Sequence, residues 1–293
     1  MSPTDRPDDP ERERPARVAV AIPCYNEAAA IAAVVADYRA ALPDALIVVF
    51  DNNSTDGTGD IARGLGVRVE LVREQGKGHA VRAAFKALAD HDVVVLTDGD
   101  GTYPASEAHR LIGLVEQGRA DMAVGARRPV AGAGAMTLVR RLGNLLIRLA
   151  FRILIGPGNT DLLSGYRAFS KTYRERVELS ATGFEIETEL ASEAVARGLE
   201  VVEIPIPYHP RIAGTESKLS AVRDGIRIVR TIIRQSWRLK RMRLRLLFLA
   251  GYSILLVPFT HNVIVPPIML ASLAVLVLLD LRCSGPIKGV RTH

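Results

Sequence analysis

Between residues 17 and about 206 the chain alternates short, continuously apolar runs with alanine-rich stretches, and no other feature limits its fold as strongly. Residues 17–22, 46–50, 67–72, 92–97 and 121–125 are short and rich in Val, Ile and Leu, which predicts strands. Residues 28–41, 58–65, 78–89 and 106–117 are made of good helix formers. Strands that are apolar on both faces need cover on both sides. The pattern therefore predicts an α/β fold: a Rossmann-like, mainly parallel sheet with helices on both faces. Ligands of such sheets bind beyond the carboxyl ends of the strands, so the polar residues just after each strand are where chemistry is expected.

The remainder of the 293 residues reads differently. Residues 1–16 are charged and proline-rich and are expected to form a disordered tail. Cys24 and Cys283 are the only cysteines, which argues against a disulfide framework and fits a reducing compartment. The net charge of +6 is concentrated near the C-terminus. Residues 219–245 hold nine Lys or Arg against one acid, Asp224, with Leu219, Val222, Ile226, Val229, Ile233 and Trp237 at helical spacing. This predicts a basic amphipathic helix over 219–245, juxtamembrane or with a solvated basic face over a core. Residues 246–260 and 263–279 follow without a charge, separated by His261-Asn262. Each is shorter than the about 20 residues of a full span. A membrane hairpin of two short helices over 246–281 is expected, with Arg282, Lys288 and Arg291 in a tail over 282–293 placing both ends in the cytoplasm. A re-entrant hairpin broken at Pro266-Pro267 and two buried core helices are the alternatives. Residues 136–155 interleave Arg140, Arg141, Arg148 and Arg152 with apolar residues, as a helix lying at a membrane interface does, or a surface helix over the core. The basic run lacks stacking aromatics beyond Trp237, so nucleic acid is not an expected partner.

The strand ends carry a consistent chemistry. Pro23-Cys24-Tyr25-Asn26-Glu27 opens a helix and offers free backbone N–H groups. Asp51 begins Asp51-Asn52-Asn53-Ser54-Thr55-Asp56-Gly57-Thr58 and suits a base edge or ribose hydroxyl, while Asp56 suits a helix cap. Gly76-Lys77-Gly78 presents one cation in a flexible turn. Asp98-Gly99-Asp100-Gly101-Thr102 brings two carboxylates to the end of a buried strand, where a divalent cation shared with a diphosphate would offset their repulsion. Gly125-Ala126-Arg127-Arg128 adds cations.

Taken in order, PCYNE, DNNSTDGT, GKG, DGDGTYP and GAR, then DLLSGYR (161–167), GFEIETEL (183–190) and YHPR (208–211) with Gly214, Ser217 and Lys218, resemble the family 2 glycosyltransferases of GT-A fold. The similarity covers residues 17 to about 240, with the GT-A domain expected over 17–218, and is strongest to the branch of dolichyl-phosphate mannose synthase and bacterial polyprenyl-phosphate sugar transferases. It implies that Pro23, Tyr25, Asn26, Glu27 and Asp51 hold the nucleoside of a UDP- or GDP-sugar. It implies that Asp98, Gly99 and Asp100 bracket Mg2+ or Mn2+ and the diphosphate, with Asp98 and Asp100 as metal ligands. Lys77, Arg127, Arg167, Arg211 and Lys218 would contact substrate, the last two from a loop able to close over the donor. Glu187 matches the family's catalytic acidic position, with Glu185 second, and Asp100 and Arg127 would share in catalysis. Glu185, Glu189 and Glu193 fall on one helical face, readable as solvated. The lipid-phosphate-sugar synthases often carry two acids where this chain has Asp51-Asn52 and a Gln in place of Thr102. The expected activity is inverting transfer from a nucleotide sugar to a membrane acceptor, polyprenyl phosphate first and a glycolipid or polysaccharide hydroxyl second, at the cytoplasmic face of a bacterial inner membrane. A catalytically silent membrane scaffold is the reading from another class.

Overall fold

The computed structural model describes residues 16–130, 138–156, 160–215, 221–238 and 290–292. Its centre is one sheet. The strands β1 (Val18–Cys24), β2 (Leu46–Asp51), β3 (Arg68–Leu71), β4 (Val93–Leu96), β5 (Met122–Pro129), β6 (Arg167–Ser170), β7 (Val201–Tyr208) and β8 (Val290–Thr292) lie in the order β3-β2-β1-β4-β6-β5-β7-β8. All five strands read from the sequence are present. The sheet is parallel except at β6, which runs antiparallel between β4 and β5. β6 is four residues long and starts with an arginine, so no apolar run announced it.

Successive side chains of a strand point to opposite faces, and the sequence uses this. Val20, Ile22, Val93 and Val95 face a layer containing helices α1 (Ile31–Ala41), α2 (Thr58–Gly64) and α4 (Ala108–Glu116), packed through Val34, Tyr38, Ala62, Leu111 and Val115. Ala19, Ala21, Val94 and Leu96 face the other layer, where α3 (Lys77–Ala87), α6 (Lys171–Arg176) and α7 (Ile186–Arg197) contribute Ala80, Ala84, Tyr173, Ile186 and Leu190. Each fully buried Val, Leu or Ile contributes about 1.5–3 kcal/mol. The small Ala19 and Ala21 opposite Ala80 and Ala84 let α3 approach the sheet closely, which matters for the lysine at its start.

A third cluster lies outside α7. Ile147 and Phe151 of α5 (Leu138–Leu154) and Ile228 and Ile232 of α8 (Ala221–Arg238) pack with Ala191 and Val195. Consequently every residue of α7 from Ile186 to Val195 is buried. This corrects the solvated reading of Glu189 and Glu193. Glu193 pairs with Arg197 and Arg238, and Glu189 with Arg234 and Gln235. Part of the basic character of α8 thus answers acids of the fold. Among the described residues no helix is long and apolar enough to cross a membrane. The expected hairpin over 246–281 and the N-terminal tail to residue 15 lie outside the described residues, as does Lys218.

Candidate active site

The carboxyl ends of β1, β2 and β4 are neighbours, with Cys24 opposite Asp51 in the sheet. Glycine is required at 99 because a methyl there would lie 2.5 Å from the Cys24 sulfur. Burial pushes the Cys24 thiol up, and the charges of Glu27, Asp51, Asp98 and Asp100 add to it, so these four acids share one locality. Around it the loop after β1 is tied to the loop after β2. Asn26, at φ 54°, donates its N–H to Ser54 and accepts from Thr55 N–H, Glu27 N–H donates to Thr58 Oγ1, and Asp56 accepts from Ala28 and Thr58. Asp51 is buried and accepts from Ser54 N–H. Pro23 is buried and Tyr25 half-buried at the same edge.

Lys77 stands at the centre. Its ammonium is 2.5 Å from Asp98 Oδ1 and 2.7 Å from Glu187 Oε1. Burial alone would depress the lysine pKa, but the two carboxylates outweigh it and push it up. Burial raises the pKa of Glu187, partly offset by Lys77. Its Oε2 is buried without a hydrogen-bond partner among the described residues. Glu185 faces elsewhere, accepting the N–H groups of Thr182 and Gly183.

Asp100 is buried. Its Oδ2 pairs with Arg211 at 2.6 Å and its Oδ1 accepts both the N–H and hydroxyl of Thr102. Burial and the neighbouring Asp98 raise its pKa. Thr102, which replaces the glutamine frequent in the synthases, is thus a support for Asp100. Asn52, where the synthases often carry an acid, turns toward the segment after β3. It donates to Val72 and Glu74 carbonyls and accepts from Gly76 N–H, so it clamps the turn that presents Lys77.

Arg127 forms a two-pronged pair with Asp161, both contacts 2.7 Å, under the ring of Tyr208 at 5.5 Å. The Thr160 and Asp161 N–H groups donate to Glu203. Arg167, expected to contact substrate, is close enough to Glu187 for their charges to interact, and its guanidinium is taken up by the fold. It is fully buried and donates to the carbonyls of Ser164 and Leu162, bracing the turn before β6. The residues that sequence reasoning missed are Asp161 and Gly165. Both lay in a quoted motif, but nothing local showed that one meets Arg127 and the other leaves room for Lys77 and Asp98.

Asp161 also gives a pH expectation. Burial would raise its carboxyl, but Arg127 outweighs burial and holds it below the usual range. A carboxyl lowered in the folded state stabilises above its unfolded pKa of about 3.9, and that contribution is lost as pH falls through the folded value. Asp161→Asn is expected to cost about 3 kcal/mol at pH 7, as expected for a mostly buried pair losing one partner. The difference from wild type should shrink toward acid, read as urea midpoints between about pH 5 and pH 2.

These strand-end acids, the lysine between them and the mixed sheet with one antiparallel strand define a sugar-transferring enzyme. The chain belongs to the family described as Glycosyl transferase family 2, whose sequence profile matches residues 19–176, and it is a glycosyltransferase. Glycosyltransferase AglJ of Haloferax volcanii is 39% identical over 211 residues, covering 72% of this chain and 69% of AglJ. The polyprenol monophosphomannose synthase of Mycolicibacterium smegmatis is 34% identical over 230 residues, covering 73% of this chain and 85% of the synthase. Among solved structures, glucosyl-3-phosphoglycerate synthase from Mycobacterium tuberculosis in complex with UDP superposes with a TM-score of 0.62 at 22% identity, covering 79% of this chain and 86% of that one. That likeness establishes the GT-A fold.

Proposed function

We propose that this glycosyltransferase moves a sugar, with inversion, from a UDP- or GDP-sugar to polyprenyl phosphate at a membrane surface facing the cytoplasm. The observation that carries it is the Lys77 ammonium between Asp98 and Glu187 where β4 ends, beside the Asp51 edge. The named activity of the Mycolicibacterium smegmatis relative supports the acceptor class.

A divalent ion fits this donor set. Asp98 and Asp100 offer hard oxygens one glycine apart, and each already attracts a cationic side chain, Lys77 and Arg211. Among the described residues no group of three His, Cys, Asp or Glu is placed to hold a metal. Mg2+ or Mn2+ would therefore take its other ligands from the diphosphate and water, as both commonly do. Bound there, the ion supplies charge stabilisation to the leaving nucleoside diphosphate. The protein's own part is to hold the nucleoside at Pro23, Tyr25, Asn26, Glu27 and Asp51, with Arg211 supplying a cation from the loop after β7 and Lys218 a second one by resemblance to the family. Arg127, with its charge matched by Asp161, orients that edge more than it adds net positive charge.

The membrane half of the proposal is supported by the outer faces of α5 and α8. Leu145, Leu146, Leu149 and Ile153 are exposed on α5, and Ile226, Val229, Ile233 and Trp237 on α8. Arg148, Arg152, Arg223, Arg227 and Arg230 stand exposed among them. Such faces suit the headgroup region, with arginine stems along apolar surface and charges at phosphates.

One observation favours a second acceptor. A phosphate, with a second pKa of about 6, is already largely ionised and needs no base, whereas a hydroxyl does. The unpartnered Oε2 of Glu187 would suit a hydroxyl of a glycolipid or polysaccharide. The discriminating experiment supplies membranes with labelled nucleotide sugars, with and without undecaprenyl phosphate. Label entering the organic phase only with the lipid phosphate, in an acid-labile product, is the expected result, with Glu187→Gln lowering it about tenfold. An acid-stable product with a Glu187→Gln loss of about 10²–10⁴-fold would establish the hydroxyl acceptor instead.

A further inference from the structure

Glu189 has no role in the transfer chemistry proposed above, yet its carboxylate joins three separate parts of the chain. It is fully buried. Its Oε2 accepts the N–H groups of Ser180 at 2.9 Å and Ala181 at 2.7 Å. Its Oε1 accepts the Ser180 hydroxyl at 2.6 Å and, from α8, the amide of Gln235 at 3.1 Å and the guanidinium of Arg234 at 3.4 Å. A buried carboxylate is tolerated only while such donors stay in place.

The segment it holds is the ledge on which α3 begins. Gly78 N–H donates to the Thr182 carbonyl at 3.0 Å. A methyl at Gly76 would run into the carbonyl of Thr182, and one at Gly78 into that of Ala181, so the two backbones are in close contact. Lys77 lies between these glycines, and the Glu187 it contacts precedes Glu189 by two residues on α7. The position of the ammonium therefore follows the ledge, the ledge follows Glu189, and Glu189 depends on donors from α8. The opposite side of α8 is the exposed apolar face that includes Ile233 and Trp237.

We propose that Glu189 is a positioning residue linking the seating of α8 to the geometry of the Lys77, Asp98 and Glu187 cluster, so that the site is fully assembled only with α8 docked on α7. The proposal rests on that cluster being the transfer site.

Gln235, 2% exposed, is the clean probe, because Gln235→Met keeps the volume and removes the donor. In the full-length protein it is expected to lower kcat about tenfold with the donor KM unchanged, and to speed amide hydrogen exchange at residues 180–183 and in the first turn of α3. Glu189→Gln should act in the same direction and more strongly; if it fails to fold, Gln235→Met carries the test. Because the effect passes through the lysine, adding Gln235→Met to Lys77→Met should slow transfer little beyond Lys77→Met alone. Losses that multiply would overturn the proposal, as would a slowed Gln235→Met enzyme with unchanged exchange at 180–183. A Lys77→Met enzyme that transfers sugar normally would refute the site itself. A slow Lys77→Met enzyme beside a normal Gln235→Met enzyme would refute the link alone.

Discussion

Lys77→Met is expected to lower sugar transfer by about 10²–10³-fold, the loss typical when one preorganised charge is removed from a water-poor site. Among the described residues the lysine is the cation in direct contact with Glu187, with Arg167 acting on it from farther off, and it also neutralises Asp98. Without it, two carboxylates remain beside the place proposed for the diphosphate, and the more buried of them, Glu187, keeps only the weaker pull of Arg167 against its desolvation. Removing one partner of a buried pair costs about 3–5 kcal/mol if the orphaned charge persists, and protonation of Glu187 limits that cost. This fixes the sign of the pH dependence. In the variant, Glu187 keeps a folded pKa above its unfolded value of about 4.3, so stability is retained at low pH and falls as pH rises beyond that value. Thermal unfolding at pH 5 and pH 8 should show the larger deficit at pH 8, while kcat falls at both. Transfer within threefold of wild type would remove Lys77 from the site.

Much of the fold was legible because it rests on local repetition. The two-residue alternation of Ala19, Val20, Ala21 and Ile22 already divides the two core layers, and acids immediately after apolar runs already mark the ligand edge. What was hidden depended on partners distant in the chain. Asn52 looked like a departure from the second acid that the synthases often carry, and its amide is used by carbonyls and an N–H 20–24 residues away. Arg167 looked like a substrate cation, but it starts the antiparallel β6, paired between β4 and β5, and is fully buried with its guanidinium donating to the carbonyls of its own turn. Glu189 and Glu193 looked solvated because helical periodicity treats a polar face as a wet one, and here α8 covers that face with arginines of its own. The pair proposed to hold the metal shows the same limit. Sequence placed Asp98 and Asp100 one glycine apart, but only the structure shows that each already has a different cationic partner.

Gly165→Ala is expected to cost about 10²-fold in turnover while leaving the protein folded, and the reason is geometric. A methyl at this position would lie 2.8 Å from the Lys77 ammonium and 2.9 Å from each oxygen of Asp98, so it occupies the space in which their ion pair sits. The backbone cannot yield easily. Gly165 N–H donates to the Tyr103 hydroxyl, the Ser164 hydroxyl donates to the Gly125 carbonyl, and Arg167 holds the Ser164 carbonyl from behind. The backbone of Lys77 is held too, by Gly76 and Gly78 against residues 181 and 182, so what moves is the ammonium end of the side chain. The strain must fall on the Lys77–Asp98 contact, at about 1–3 kcal/mol for overpacking, which is a few degrees in melting temperature for a domain of this size. A misplacement of this kind harms chemistry far more than stability, because transfer depends on aligned reacting groups. Gly113→Ala on α4 is the matching control. The nearest atom to its added methyl is the end of the Gln117 side chain at 3.7 Å, so transfer should be unchanged and the helix slightly stabilised. Equal activity of the two alanine variants would mean that the Lys77–Asp98 contact is incidental to sugar transfer.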